Sequence, residues 1–398
     1  NDEDEYAELV MPVSLAYLSE LLPLDATWDD DCVAVFRVDK LGIKSTIIER
    51  NSTQSNQPLT EDDLRTHVDE VKAAILAELR RWGDNEAFRR KLRREASNIL
   101  TSRYVLNWKR QADGTFVIKC RLCVHGFKDI YKNDVDRYSG TSSRWGQRLL
   151  VATAVQMDWE LASLDISQAF LKGLTFDEIQ EIRGGEKRQV AMQLPRGKAG
   201  EPSGVSILRC MPGYEDFNDA LEVLEMLKGG FGLVDAPNLF TTRVDHVLKT
   251  KQINATISDP KMYLQHERRM LTDSKQMQTM LALMVSAHMD DFKVTGEPKN
   301  MLALRTILAE AFGDDVKMVT EGTFIHTGIR HTYDATKKVY RLDQDDYAKA
   351  LRPVVHTDLT KTNDETDLTE YLIACFLTLL GAVAWLSQTR MDVLVYIS

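Results

Sequence analysis

The sequence predicts an α+β fold in which helices lie on one side of an antiparallel sheet, within roughly residues 100 to 300. Two alternating segments flank Asp113-Gly114, a dipeptide typical of tight hairpins. A second hairpin is predicted around Asp290-Asp291, because a largely apolar run precedes these acids and an alternating run follows them. Apolar residues recur at helical spacing in several other segments, which indicates the helices that cover the sheet.

The composition is that of a folded, acidic protein. Its 398 residues, 43% hydrophobic and 28% charged, suffice for two or three domains. The net charge of −10 argues against a protein that coats itself with nucleic acid, so any such contact is expected to be local. The acidic start, NDEDEYAELV, fits neither a signal peptide nor a basic transit peptide, and its missing initiator Met suggests a fragment or a processed product.

The five cysteines indicate a reducing compartment, because their number is odd and their spacing is wide. Cys120 and Cys123 form a C-x-x-C pair within a predicted strand. Residues three apart on a strand point to opposite faces, so we expect no zinc site there.

The first hundred residues are predicted to form two segments. Residues 1–60 are a poorly defined N-terminal segment, and residues 61–100 are a helical, basic lead-in. Thr60 is the predicted N-cap, followed by three acids in the first turn and by apolar residues at helical spacing as far as Trp82. The cations of this lead-in are either a solvated helix face or a patch that contacts phosphates; they are Arg80, Arg81, Arg89, Arg90, Lys91, Arg93 and Arg94.

The remaining elements follow from the same apolar patterns. In chain order they are a helix over 142–157, a strand over 159–166, helices on both sides of a break at 229–237, a helix over 299–312 and a strand pair over 323–333. The apolar segment 371–387 is either a buried helix or a membrane span. It is only just long enough to cross a bilayer and has no flanking Lys or Arg cluster, which favours a buried helix.

The Asp290-Asp291 pair is either a solvated turn or part of a metal site. Two carboxylates about 4 Å apart repel by roughly 1 kcal/mol in water and by roughly 4 kcal/mol at a protein surface. A divalent cation offsets this repulsion but needs a further ligand, which Asp165 supplies at the end of a predicted buried strand. Together the three acids match the palm of a two-metal polymerase, in which the ions stabilise the attacking and leaving oxygens.

A series of short motifs extends from about Trp82 to the end of the chain. They are IKCRLCVHGF, LDISQAFLKG, MPGYEDF, GFGLVDAPNLF, DPKMYL, AHMDDFKVTG, FIHTGIR and LLGAVAWLSQTRMDVLVYIS. By their order and spacing the chain resembles the reverse transcriptase region of copia-type LTR retrotransposon Pol polyproteins, with AHMDD in the place of the family's Y-V-D-D. The resemblance implies a right-hand polymerase fold, with fingers, palm and active site over 101–300 and a partial helical thumb or connection over 301–398, truncated before any ribonuclease H.

The resemblance also implies roles for individual residues. Asp165 and Asp290 are the main ligands of two Mg²⁺ ions, which Mn²⁺ can replace, and Asp291 is the third acid of the site. Lys119 and Arg121 are expected to bind the triphosphate, because they share one strand face and Arg suits phosphate oxygens. Ordinary edge-strand charge is the alternative interpretation of these two cations.

Further contacts are implied for the nucleotide and for the primer. Phe170 is either a steric gate that excludes a 2′-hydroxyl or a plain core residue. Gly232 and Pro237 are expected beside the incoming base pair, and Lys317 is either a proton donor to pyrophosphate or a surface residue. The primer and template contacts implied by the resemblance are His288, Met289, Phe324 and Gly328.

The chain departs from the family pattern near these contacts. The departures are His288 for Tyr, Met289 for Val, Val234-Asp235 for Lys-Gln, Asn238 for Arg and Phe240 for Trp. An acid at position 235 is electrostatically unfavourable beside phosphates. Two functions are therefore open: an RNA-directed DNA polymerase, or a catalytically decayed protein that keeps the fold and at most binds nucleic acid.

The resemblance implies several partners. They are a primer on an RNA or DNA template, dNTPs, and the integrase and ribonuclease H of a longer Pol polyprotein, with no membrane partner. We expect an intracellular protein that is not secreted, in the cytoplasm, in virus-like particles or in the nucleus.

Overall fold

The computed structural model describes the chain in several stretches. They are residues 57–111, 113–197, 202–270, 276–314, 316–320, 322–351, 353–354 and 369–396, together with the backbone of 7–12, 32–39 and 42–50. The chain forms two compact units, one from Pro58 to Glu321 and one that combines Asn1–Gln57 with Gly322–Ser398. Residues 301–320 belong to the larger unit, whereas the sequence grouped them with the C-terminal segment.

The described elements include both helices and strands and define a mixed α+β protein. The helices are α1 Glu61–Thr66, α2 Val68–Asp84, α3 Arg144–Met157, α4 Phe176–Arg183, α5 Gly204–Leu208, α6 Ala236–Thr250, α7 Pro298–Phe312, α8 Asp345–Ala350 and α9 Glu370–Leu386. The strands are β1 Ala7–Pro12, β2 Cys32–Asp39, β3 Gly42–Arg50, β4 Phe88–Leu92, β5 Ile99–Arg110, β6 Phe116–Val124, β7 Leu161–Ile166, β8 Val190–Gln193, β9 Glu222–Met226, β10 Asn254–Ala255, β11 Met262–Met270, β12 Met277–His288, β13 Asp291–Gly296, β14 Val316–Val319, β15 Thr323–His326, β16 Ile329–Asp334 and β17 Val339–Asp343.

The larger unit contains a six-stranded sheet in the order β10-β11-β12-β13-β7-β14. Each neighbouring pair is antiparallel. Strand β12 is buried continuously from Ala282 to Ala287, as its apolar run predicts. The second predicted hairpin, β12–β13, is therefore confirmed as the centre of this sheet.

Helices cover both faces of this sheet, so the prediction of helices on one side is wrong. On one face Phe292 and Val294 pack in a core that includes Leu304 of α7. On the other face Lys293 Nζ donates to Gln147 Oε1 of α3 at 3.4 Å. Neighbouring residues on a strand point to opposite faces. Since the consecutive residues 292–296 of β13 are all buried, the sheet requires cover on both sides.

A second, five-stranded sheet of the larger unit has the order β4-β9-β8-β5-β6. It includes the predicted hairpin at Asp113-Gly114, which joins β5 to β6. Helix α1 begins at the predicted N-cap, where the Thr60 hydroxyl accepts from the Asp63 backbone N–H at 3.1 Å. Helix α2 follows it and buries Trp82 completely.

Two predicted helical segments of this unit are strands. The sequence predicts helix up to residue 100, but β4 begins at Phe88, and it predicts helix before Gly229, where β9 lies. The cations of β4 pair with acids of β9: Arg90 with Glu222 at 2.9 Å, and both Arg89 and Lys91 with Glu225 at 2.6 and 2.7 Å. Cross-strand carboxylates therefore already neutralise these three cations, in place of either a solvated helix face or bound phosphates.

The smaller unit has two three-stranded antiparallel sheets, β1-β2-β3 and β15-β16-β17. The strand pair predicted over 323–333 is confirmed as β15–β16. The apolar segment 371–387 corresponds to α9, which buries Tyr371 and Cys375 but exposes Phe376, so one side of the helix is buried. No helix within the described stretches combines the length and the apolar character that a membrane span requires.

Candidate active site

Asp165 and Asp291 are direct cross-strand partners on β7 and β13. Opposite residues of an antiparallel pair lie about 4.5–5.5 Å apart at their Cα atoms and direct their side chains to the same face. Both residues are half-buried. The fold thus brings together two acids that the sequence places far apart, as predicted.

Asp290 lies at the tip of the β12–β13 hairpin. The last strand pair is His288 with Asp291, so Met289 and Asp290 form a two-residue loop. Met289 has a φ of 55°, and a positive φ at the first loop position is typical of a type II′ turn. Such backbone is uncommon for a residue other than glycine and often occurs at functional sites. The loop holds Asp290 next to the Asp165–Asp291 pair along the chain.

These acids provide oxygen ligands of the kind that Mg²⁺ prefers. Mg²⁺ is usually held by one or two carboxylates, with water and substrate phosphates completing its coordination. Within the described stretches, no group of three or more His, Cys, Asp or Glu side chains is arranged to hold a metal ion. Asp165, Asp290 and Asp291 are therefore not assembled into such a group, and metal binding by these acids stays a prediction.

A row of paired residues crosses four strands at this end of the sheet. His288 pairs with Asp291, Asp291 with Asp165, and Asp165 with Lys317. Lys317 is exposed on β14. The row places one imidazole and one ammonium on the two sides of the acids, and the proton-donor role of Lys317 stays a prediction.

His288 is joined to the segment that precedes α3. It forms a β-bridge with Thr141, and the Ser142 N–H donates to the Ala287 carbonyl at 2.9 Å. Burial, and then the nearby charge of Lys293, lower the pKa of His288 to about 4. The imidazole is therefore neutral at pH 7.

Lys293 is a buried cation that sequence reasoning did not identify. It lies two residues after Asp291, hence on the same strand face, and only 1% of it is exposed. Burial lowers its pKa to about 7. Alternation after Asp291 places Lys293 on the face of the acid, but no local sequence pattern indicates its burial.

Lys119 and Arg121 lie on one face of the β5–β6 ribbon, as predicted. Their cross-strand partners are Asn107 and Val105. Because every second residue shares a face, Arg103 and Lys109 of β5 lie on this face too, and the sequence analysis missed both. We refer to Arg103, Lys109, Lys119 and Arg121 as the ribbon cations. Burial, and then the positive charges of Arg121, Lys109 and Arg81, lower the pKa of Lys119 to about 8.

Phe170 connects the strand of Asp165 to the ribbon cations. It lies in a short 3₁₀ helix just after β7 and is half-buried. Its ring meets that of Phe231 edge-on at 5.5 Å, and the Arg121 guanidinium lies 5.8 Å from the same Phe231 ring. Phe170 therefore has both core contacts and an accessible part, and its role as a steric gate stays a prediction.

Gly232 lies in a loop pressed against the end of β6. Its φ is 94°, and an added Cβ would lie 2.0 Å from the Val124 carbonyl oxygen. The Val124 N–H donates to the Phe231 carbonyl at 2.8 Å. Only glycine allows this approach, and the loop leads into α6 through Pro237 in its first turn.

The residues that differ from the family pattern in this loop and at the start of α6 contact other residues of the protein. Asp235 is buried and forms an ion pair with Arg188, so the expectation that its charge faces phosphates is wrong. Asn238 donates from Nδ2 to the Tyr138 carbonyl at 2.5 Å, and Phe240 is fully buried. The substitutions are accommodated by packing and pairing within the larger unit.

Phe324 and Gly328 lie in the smaller unit. Phe324 is buried and stacks on His331 with ring centroids 4.8 Å apart. Gly328 follows β15 with a φ of 70°. Primer contact at these residues, and at Met289 in the hairpin, stays a prediction.

The chain is similar to part of a known retrotransposon protein. It is 23% identical over 255 residues to the retrovirus-related Pol polyprotein from transposon TNT 1-94 of Nicotiana tabacum. The aligned region covers 63% of this chain and 16% of that relative, so the chain spans about a sixth of the relative's length. No protein-family model matches the chain.

Two solved telomerase structures also align with the chain. A telomerase from Candida albicans, in complex with a fragment of telomeric RNA, is 10% identical, with a TM-score of 0.34 over 80% of this chain and 58% of that one. An apo telomerase from Candida tropicalis is 8% identical, with a TM-score of 0.34 over 68% of this chain and 60% of that one.

Proposed function

We propose that the chain is an RNA-directed DNA polymerase that adds deoxynucleotides to a primer 3′-hydroxyl. The pairing of Asp165 with Asp291, beside Asp290 at a hairpin tip, is the observation that carries this proposal. The similarity to part of a retrotransposon Pol polyprotein agrees with it. Integrase and ribonuclease H partners stay predictions.

Asp165, Asp290 and Asp291 are the residues proposed to hold two Mg²⁺ ions. When bound, such ions polarise phosphoryl oxygens and stabilise the attacking and leaving oxygens of an in-line displacement. The β7–β13 pairing places Asp165 opposite Asp291, and Asp290 lies in the adjoining two-residue loop. The protein's own contribution is to fix these oxygens before the substrate arrives.

The ribbon cations are proposed to bind the triphosphate. Burial, and then the positive charges of Arg121, Lys109 and Arg81, lower the pKa of Lys119, so a polyanion placed on this face would relieve the repulsion that these charges exert on it. Arg103 and Arg121 offer planar forks suited to phosphate oxygens. Phe170 is proposed to lie under the sugar, between these cations and Asp165.

Primer extension tests the proposed function directly. The wild-type chain, a 5′-labelled DNA primer on an RNA template, dNTPs and Mg²⁺ are expected to give extended products. Asp165→Asn and Asp291→Asn are each expected to lower the extension rate by at least about 100-fold, because a metal-binding charge is lost. Asp113→Asn, in the β5–β6 turn, is a matched control that is expected to keep the wild-type rate.

Two results would contradict the proposal. The first is a wild-type chain that extends no primer on RNA or DNA templates, which is the outcome expected of a catalytically decayed protein. The second is extension that survives both Asp165→Asn and Asp291→Asn, because the activity would then arise elsewhere.

A further inference from the structure

Arg188 is buried between two carboxylates that do not belong to the group of three acids described above. Its guanidinium forms ion pairs with Asp129 and Asp235. The exposed fractions of Arg188, Asp129 and Asp235 are 9%, 2% and 4%. A buried charge is unfavourable unless it is paired, so the folded protein must keep these three residues, the Arg188 triad, together.

The Arg188 triad joins three segments that are distant in the sequence. Asp129 follows β6, Arg188 precedes β8, and Asp235 immediately precedes α6. The Asp129 carboxylate is held in place, because Oδ1 accepts from Asn98 Nδ2 and from the Tyr131 N–H, each at 2.9 Å. Asp129 is thus a fixed anchor, and Arg188 connects Asp235 to it.

Asp235 ends the loop that contains Phe231 and Gly232. The start of this loop is attached to β6 through the hydrogen bond between the Val124 N–H and the Phe231 carbonyl. The ion pair of Asp235 attaches its other end, three residues after Gly232. Phe231 contacts both Phe170 and Arg121, so any shift of the loop changes the pocket proposed for the nucleotide.

We propose that Arg188 and Asp235 are positioning residues for the incoming nucleotide, which they serve by fixing the Phe231–Gly232 loop against β6. This inference rests on the proposed polymerase function. It assigns the acid at position 235 a definite task, in place of an unfavourable charge beside phosphates. Neither residue touches the three acids, so their effect is exerted through the loop on nucleotide binding.

Steady-state kinetics of Asp235→Asn test the inference. This variant keeps the Arg188–Asp129 pair, so no carboxylate is left without its cation. The KM for dNTP is expected to rise about tenfold while kcat changes by less than about twofold, because ground-state placement of the nucleotide is lost and the acids are untouched. Asp235→Glu restores the charge and is expected to bring the KM back to within about threefold of wild type.

Asp216→Asn is the matched control. Asp216 is exposed and pairs with Arg90 at 2.6 Å on the edge strand β4, away from the loop. The same chemical change there is expected to leave both the KM and kcat at their wild-type values.

The outcomes separate the inference from the proposed function. An active, folded Asp235→Asn enzyme with an unchanged KM overturns the inference and leaves the polymerase function standing. A wild-type chain without primer extension overturns the proposed function and the inference with it. If Asp235→Asn does not fold, Arg188→Lys is measured instead, since Lys keeps the charge but lacks the planar fork that bridges two carboxylates. A raised KM at constant kcat then supports the inference, and an unchanged KM contradicts it.

Discussion

Lys317 lies directly opposite Asp165 across the β7–β14 strand pair. It is exposed and shares a sheet face with the acid, and this placement is the basis for proposing that Lys317 gives a proton to departing pyrophosphate. We predict that Lys317→Met lowers kcat by roughly 100-fold with little change in the KM for dNTP, since general-acid catalysis contributes on this scale. Primer-extension kinetics measure both constants. Lys72→Met, on the exposed surface of α2, is the control, and an unchanged kcat for Lys317→Met would make Lys317 an ordinary surface residue.

Replacing Gly232 is predicted to destabilise the larger unit strongly. Its φ is 94°, and an added Cβ would lie 2.0 Å from the Val124 carbonyl oxygen. Gly232→Ala is expected to lower the free energy of unfolding by roughly 3 kcal/mol, from backbone strain and steric overlap together. Gly184 separates the two causes, because its φ is 75° and no atom lies within 4 Å of its added Cβ. Gly184→Ala is expected to cost roughly 1 kcal/mol, and urea unfolding of both variants measures the difference.

Glu78 is predicted to be a major link between α2 and β6. It is 2% exposed and accepts from Trp82 Nε1 and from the Leu122 N–H, each at 3.1 Å. Glu78→Leu leaves both donors buried without an acceptor, which is expected to lower the free energy of unfolding by roughly 3 kcal/mol. Glu78→Gln keeps a side-chain oxygen and is expected to cost roughly 1 kcal/mol. Equal losses in thermal or urea unfolding would show that the hydrogen bonds contribute little.

The lowered pKa of Lys119 predicts a pH-dependent gain in stability when this charge is removed. Burial, and then the positive charges of Arg121, Lys109 and Arg81, lower its pKa from the usual 10.5 to about 8 in the folded protein, while Glu78 acts in the opposite direction. The folded state therefore bears the full cost of a charged Lys119 below pH 8, and this cost disappears as the pH rises from 8 to 10.5. Lys119→Met is expected to raise the free energy of unfolding at pH 7 and to raise it less at pH 10. Urea titrations at both pH values measure this, with Lys72→Met as the control; equal gains at both would contradict the assigned cause.

Phe170→Val distinguishes a steric gate from a core residue. A gate predicts that the preference for dNTP over rNTP falls by at least about tenfold, since the space under the sugar opens. A pure core role predicts a loss of stability with the nucleotide preference unchanged. Single-nucleotide incorporation with dNTP and rNTP measures the preference, and thermal unfolding measures the stability.

The sequence was most informative where a pattern was local. Alternation and Asp113-Gly114 predicted the β5–β6 hairpin, and the apolar run before Asp290 predicted the β12–β13 hairpin. The sequence also predicted that Asp165 lies near Asp291, because a cation at the hairpin would need a further carboxylate ligand, and the two residues are strand partners. The two hairpins depend on the two-residue alternation of strands and on residues that favour tight turns, and both can be recognised within a short segment of sequence.

The sequence was least informative where a residue's partner is distant. Arg89, Arg90 and Lys91 looked like one basic surface because their partners, Glu222 and Glu225, lie on another strand of the same sheet. The presence of a cation in the sequence does not reveal whether it forms an ion pair. In this charged segment, pairing with a distant strand also overrides the local preference for helix.

A distant partner was also the reason that the loop residue Asp235, which differs from the family pattern, was misinterpreted. Asp235 looked unfavourable because nothing near it in the chain indicates Arg188. The prediction that helices cover only one face of the six-stranded sheet was wrong for a related reason. Lys293 and Thr295 are polar, yet both are fully or almost fully buried beneath α3, and no local pattern reports that burial.

The alternation of side chains along β13 fixes the direction of Asp291 relative to the apolar residues of the same strand. Phe292 and Val294 point into the core, so Asp291 points to the opposite face of the sheet, which Asp165 shares. Shifting this strand by one position would turn the Phe292 ring to the face of α3 and move the Asp291 carboxylate into the apolar core. The burial of Phe292 and Val294 thus fixes the register that holds Asp291 opposite Asp165, two carboxylates that would otherwise repel each other.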